Sequence, residues 1–303
     1  MAFDQLIGRL RKGRPLVLDA DVCASLRARG VDVDVPGALG ALVRSHPKDV
    51  LDHHRREIHS RVDVISALTS DTTPRALAEV GMQHRSAMLT GVAVDLALEA
   101  ASESRRPIGV AGVLGSDMLS PLGSDRMREE LGEHAQRLAT SGCELIIARG
   151  QGSAVGLRAA VEVSHRAGLA TWAVVERYPE AQQVAPTLRE VVELLGAAGA
   201  NAVLFEVPSV EEGVACLQGA DAAGAVLLGV LLAASPEAVR GFPIEGADPH
   251  LWAAEAMRLE AAGARIIGGG AGTTESHTTA LALNLGALHP SIAPPPHTSG
   301  PAL

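Results

Sequence analysis

The chain has 303 residues, 47% hydrophobic and 20% charged, with a formal charge of -9 and only 2% aromatics. That length can bury a large core, while the acidic balance and the shortage of stacking rings exclude a nucleic-acid binder. The best apolar run, 222–234, is too short to span a bilayer, so no membrane partner is expected.

Short apolar runs alternate along the chain with longer amphipathic stretches. The predicted strands are Pro15–Leu18, Val62–Ile65, Ile108–Ala111, Glu144–Ile147, Thr171–Val175, Ala202–Phe205, Ala225–Val230 and Arg265–Ile267. Helices are predicted over Arg126–Thr140, Gly156–Ala167, Thr187–Ala198 and His250–Ala262, the last with Trp252, Ala256 and Leu259 at helical spacing. Several helices end in a small residue and a glycine just before the next strand: Gly142, Gly168, Gly199 and Gly263. Glycine there supplies the left-handed cap that an αβ loop requires. Eight strand–helix units of near-continuous apolar strands predict one α/β domain, a (β/α)8 TIM barrel over residues 1–287, with a doubly wound sheet as the competing architecture. Residues 288–303, with Pro290, Pro294, Pro295, Pro296 and Pro301, cannot continue a helix and are expected to form a flexible tail.

Cys23, Cys143 and Cys216 lie far apart and form no C-x-x-C pair, which is neither a disulfide framework nor a thiolate zinc site. The first residues carry an early acid, Asp4, then Arg9, Arg11, Lys12 and Arg14, with no apolar stretch ending in a cleavage site. These features predict a soluble, cytoplasmic protein. The histidines show no H-E-x-x-H spacing.

In such a barrel the chemistry sits at the C-terminal ends of the strands. The first end reads Leu18-Asp19-Ala20-Asp21-Val22-Cys23-Ala24-Ser25-Leu26 and the last reads Gly268-Gly269-Gly270-Ala271-Gly272-Thr273-Thr274, with His277 beyond. Both resemble the homocysteine S-methyltransferase family, whose opening motif is D-G-x-M-G-T-E-L and whose closing motif is G-G-C-C-G-T-T-x-x-H. His54, Asp63-Val64-Ile65 with Thr69, Val110-Ala111-Gly112 with Gly115, and Ser120-Pro121-Leu122-Gly123 add to the resemblance, which runs from Pro15 to about Ala280.

The resemblance implies a barrel that methylates a thiol held on zinc. Three cysteines would bind the metal, one from an N-C pair ending strand six and two from the closing motif. The metal turns a thiol of pKa about 8.5 into a thiolate at neutral pH. Here Gly270 and Ala271 stand at the paired cysteines, while Glu206 and Val207 stand at the N-C pair. Zinc is therefore expected to be absent, with no other cofactor in its place. After strand four, where the family has an acidic residue and a threonine, this chain has Arg149 and Gly150. A guanidinium suits a carboxylate or phosphate, which predicts a small anionic metabolite other than homocysteine. An internal ion pair of Arg149 with Glu176 or Glu206 competes with that reading. Glu206 and Asp19 are the candidate catalytic groups, each with a structural alternative: balancing Arg149, or fixing a loop. Arg149, Thr69, Gly115, Asp117, Glu176, Gly268, Gly269 and Thr273 are the candidate substrate-binding residues, the last three because a glycine-rich turn can offer backbone N–H groups to an anion.

The expected function is a divergent, zinc-independent methyl or one-carbon transferase. A lyase or isomerase built on Arg149 and Glu206, or a non-catalytic barrel that binds a ligand or a protein partner, are the alternatives.

Overall fold

A computed structural model of the chain describes residues 2–33, 37–115, 124–150, 154–176, 187–220, 226–238 and 248–288. Eight parallel strands close into a barrel in sequence order. They are β1 (Leu16–Leu18), β2 (Val64–Ala67), β3 (Gly109–Gly115), β4 (Leu145–Arg149), β5 (Ala170–Val175), β6 (Ala202–Val207), β7 (Leu227–Leu232) and β8 (Ile266–Gly269). Every predicted strand is present, with ends displaced by one or two residues or, for β3, four. The predicted helices correspond to α7 (Ser124–Thr140), α8 (Ala154–Arg166), α9 (Leu188–Ala197) and α11 (Pro249–Ala261). The glycines that end several of these helices adopt positive φ, for example 101° at Gly142 and 106° at Gly263, a conformation that favours glycine.

The remaining helices are α1 (Ala2–Arg11), α2 (Val22–Arg27), α3 (Ala38–Ser45), α4 (Pro47–His59), α5 (Pro74–Ala78), α6 (Ser86–Ser102), α10 (Val210–Ala220) and α12 (Glu275–Leu288). Alternation along the strands makes two apolar layers. Outward side chains such as Val17, Ile65, Val110, Ile146 and Phe205 pack against the helices. Inward ones such as Leu16, Leu18, Ile147, Trp172 and Leu204 fill the barrel. With so few aromatic rings, Trp172 is the largest fully buried side chain and occupies the barrel interior.

Helix α1 closes the N-terminal end of the barrel. Phe3, Leu6 and Leu10 join the interior cluster, and the Phe3 ring lies 6.2 Å from that of Trp172. Arg9 pairs with the buried Asp63, whose Oδ2 also accepts the Val17 N–H at 3.0 Å. This polar clip fixes the plug to the sheet and leaves the opposite, C-terminal mouth as the open end. Residues 289–303, most of the expected tail, lie outside the described residues.

Candidate functional site

A cavity of about 1030 Å³ opens at the C-terminal ends of the strands. Its floor is formed by Leu18, Ile147 and Leu231, and its walls carry Asp19, Asp21, Ser66, Arg149 and Glu206. The cavity has room for a metabolite-sized ligand.

Asp19 follows β1 and is 4% exposed. Ser66 on β2 engages both of its oxygens: the backbone N–H donates to Oδ2 at 2.6 Å and the hydroxyl to Oδ1 at 2.8 Å. Burial pushes the Asp19 carboxyl up to about 6, and the Ser66 hydrogen bonds and the Arg149 charge keep it from rising further. A carboxyl at that value changes protonation just below neutrality, which suits an acid or base.

On the opposite wall, Arg149 ends β4 between two acids. Its Nε donates to Glu176 Oε1 at 3.0 Å, and its Nη2 bonds to Glu206 Oε2. The Arg149 side chain is about a third exposed, against 12% for Glu176 and 17% for Glu206. Burial works against the guanidinium charge, but Glu206 and Glu176 outweigh it and raise the Arg149 pKa. The internal ion pair expected as an alternative for Arg149 is thus present on both sides. One cation and two carboxylates give the triad a formal charge of about -1.

The loops after β1 and β8 are stitched together by Asp21. Its Oδ1 caps α2 through the N–H groups of Cys23, at 2.9 Å, and Ala24, at 3.3 Å. Its Oδ2 accepts the Gly272 N–H at 2.9 Å, and its own N–H donates to Thr273 Oγ1 at 3.2 Å. The glycine-rich turn spends other N–H groups in the same way. Gly269 donates to the Asp19 carbonyl, Gly270 to that of Leu232, and Thr273 to that of Gly270. A carboxylate of the chain already occupies the Gly272 donor that an external anion would use. Thr273 is fully buried and donates its hydroxyl to the Gly270 carbonyl at 2.7 Å. A Cβ on Gly269 would come within 2.2 Å of Thr273 Oγ1, so that glycine is required by close approach. Gly268 lies deeper, against Leu18 and Leu231.

The structure thus brings Asp19, Arg149, Glu206, Gly115 and Gly269 to one cavity, with Glu176 behind Arg149. Thr69 does not line it. It is fully buried, with its Oγ1 bonded to the Val113 N–H at 2.7 Å and the Val113 carbonyl at 2.9 Å, and it ties β2 to β3. Gly268 and Thr273 support the wall from beneath. Asp117 lies outside the described residues. Sequence reasoning left out Ser66, the partner of Asp19, and did not foresee that Asp21 seals the glycine-rich turn. Ser66 lies within β2, where a polar residue in an apolar strand is the available signal.

The positions to which resemblance assigns the zinc thiolates do not fit that metal. Gly270, Ala271 and Val207 offer no donor side chain, and a Cβ on Gly270 would meet the backbone of Leu231, Leu232 and Ala233, at the end of β7, at 3.0–3.1 Å. Among the described residues, no group of three His, Cys, Asp or Glu side chains is placed to hold a metal ion. No helix among them is long and apolar enough to cross a membrane.

Closed sheet, plugged base and polar mouth define the class: a (β/α)8 barrel with a metabolite-sized site at its strand C-termini. The chain belongs to the homocysteine S-methyltransferase family, whose sequence model matches residues 16–285. It is similar to the homocysteine methyltransferase MmuM from Escherichia coli in its metallated form, with 22% identity and a TM-score of 0.75 over 92% of this chain and 99% of that one. The oxidized form of the same protein gives 21% identity and a TM-score of 0.73, over 89% and 96%. At the level of fold alone, 3-dehydroquinate dehydratase from Geobacillus kaustophilus is similar at 11% identity and a TM-score of 0.51, over 91% and 93%. No curated protein matches the chain.

Proposed function

We propose that the protein is a methyl or one-carbon transferase-like barrel that acts on a small metabolite other than homocysteine, without the family's thiolate-bound zinc. The observation that carries this reading is the makeup of the mouth. A family barrel keeps an open cavity of about 1030 Å³ with Asp19, Arg149 and Glu206 on its walls, while Gly270, Ala271 and Val207 stand where metal-binding thiolates are expected.

The charge balance narrows the substrate. An anion drawn to Arg149 must compete with Glu176 and Glu206, so a simple anion is disfavoured. A zwitterion satisfies the site better: its carboxylate shares the exposed part of Arg149, and its ammonium group meets the carboxylates of Asp19 or Glu206. Asp19, ionised above about 6, takes the proton from the acceptor X–H. The acceptor lone pair then forms the new bond to the donor's methyl carbon, and the donor's leaving group departs with the electron pair of the broken bond. Barrel walls that hold both molecules in line supply rate by proximity. Glu206 and Glu176 hold Arg149 in place for the acceptor.

The test is a thermal-shift and native mass spectrometry panel of small amino acids, carboxylates and amines. The expected outcome is stabilisation by amino acids over simple carboxylates, with Arg149→Met reducing their affinity at least about tenfold, the loss expected for a charge-assisted hydrogen bond of about 1.5–3 kcal/mol. Stabilisation by dicarboxylates alone would favour the lyase or isomerase reading. No shift with any class would leave a protein-binding barrel.

A further inference from the structure

Behind the β1 end lies a second carboxyl that the cavity does not expose. Glu57 of α4 is fully buried. Its Oε2 accepts a hydrogen bond from Thr278 Oγ1 of α12 at 3.1 Å, and the backbone N–H of Ala20, next to Asp19, points its dipole toward the carboxyl and favours the charged form. Helix α4 packs on α2, α12 and β2. Glu57 therefore stands on the helix side of the strand end whose cavity side carries Asp19. Its Oε1 finds no hydrogen-bond partner among the described residues.

The groups that face this pair leave Glu57 without a counter-ion. Asp19 from β1 and Glu275 from α12 are both acids. His53 and His54, on α4 itself, are buried and held neutral by that burial, with His53 Nε2 and both ring nitrogens of His54 lacking a partner among the described residues. Arg29, beyond α2, faces His53, and Arg149 from β4 faces Asp19. A fully buried carboxylate with only neutral donors retains its proton, and two neighbouring carboxyls resist ionising together.

We propose that Glu57 is a positioning residue of the pocket. As a protonated carboxylic acid it holds the β1 end to α4 and α12, and it leaves Asp19 as the ionised member of a two-carboxyl pair, the one that faces the ligand. Burial first, and the Asp19 charge second, push Glu57 up to about 8, whereas Asp19 lies at about 6. Asp19 therefore ionises first as pH rises. When Asp19 accepts a proton from a bound ligand, the like charge facing Glu57 disappears, and Glu57 holds its own proton less tightly. The coupling makes one proton count for the pair across the neutral range. The assignment of a base role to Asp19 rests on the function proposed above; the pairing itself does not.

Carboxyl carbon NMR of the full chain, labelled at Asp and Glu and followed from acid to alkaline pH, tests the pairing. Asp19→Asn and Glu57→Gln assign the two resonances. The expected result is a step for Asp19 near 6 and a later one for Glu57 near 8. In Asp19→Asn the Glu57 midpoint should fall by about one unit, the coupling typical of interacting sites. That shift is one a merely structural role would not produce, whereas in Glu57→Gln the Asp19 step should stay in place because glutamine and the protonated acid are both neutral. If Glu57→Gln does not fold, Thr278→Val replaces it: loss of the donor to Oε2 should raise the Glu57 midpoint. A Glu57 midpoint in the ordinary carboxylate range, or one that Asp19→Asn leaves unmoved, overturns the proposal. If the pairing holds but Asp19→Asn leaves binding of the ligand panel unchanged, the ligand contact proposed for Asp19 fails while the positioning role of Glu57 stands.

Discussion

Ser66 sets the chemistry of Asp19 with one amide and one hydroxyl. Both bonds favour the ionised carboxylate, against a burial that favours the neutral acid. Ser66→Ala removes the hydroxyl donor and is expected to move the Asp19 midpoint above about 6, read by the same carboxyl titration; an unchanged midpoint would show that the amide alone holds the charge. The strand-end position of Asp19 was legible from the order of motifs, because a parallel strand must end at the mouth. Its partner was not, because neighbours across a barrel are separated by a whole helix, here 47 positions in sequence. Arg149 shows the same limit. Its charge could be read from the residue alone, but the division of that charge between Glu176 and Glu206 depends on register, which pairs Arg149 with Val174 on β5.

Strands and helix caps were far more legible than side-chain partners, since they depend on local patterns. Near-continuous apolar runs mark strands buried on both faces, and the four capping glycines follow from backbone conformation. The hydrogen bonding of the glycine-rich turn after β8 was not legible in this way, because it depends on a neighbouring loop. Open N–H groups and N–H groups bonded to a neighbouring loop have the same sequence. Gly269→Ala is expected to break this stitch, because the new Cβ would lie 2.2 Å from Thr273 Oγ1 and 2.9 Å from Ala20 Cα. Chemical denaturation should show a loss of about 1–3 kcal/mol, the usual result of overpacking. Gly115→Ala is the matched control, with nothing within 4 Å of its Cβ and an expected change within about 0.5 kcal/mol.

At the scale of the whole molecule, buried titratable groups shape stability against pH. Burial lowers His54 and His134 to about 4. An unfolded chain binds protons on these histidines below about 6.5 while the folded one does not, so stability falls as pH drops from about 6.5 toward 4. Glu57 acts in reverse. Its raised value means that the folded chain holds a proton which the unfolded chain has lost, so stability declines as pH rises from about 4.5 to about 8. The two trends oppose each other below about 6.5, and only the Glu57 decline persists above it, at up to about 1.4 kcal/mol per pH unit. Urea denaturation at intervals across this range should place the maximum near pH 6–7. Glu57→Gln should flatten the alkaline side and steepen the acid side, where the Glu57 decline no longer offsets the histidines. A flat wild-type profile between pH 6.5 and 8 would contradict the protonated state of Glu57.

The barrel is thinnest where its chain begins. Strand β1 has three residues and meets β2 through a single registered pair, Leu18 with Val64. Asp19 bridges that gap by its grip on Ser66, and Asp21 bridges the neighbouring one to the loop after β8. The proposed base is thus also a rivet in the ring's weakest joint. Tampering with it for the sake of chemistry also slackens the hoop, so Asp19→Asn, whose amide oxygen can still accept the Ser66 N–H, separates the two duties better than Asp19→Ala.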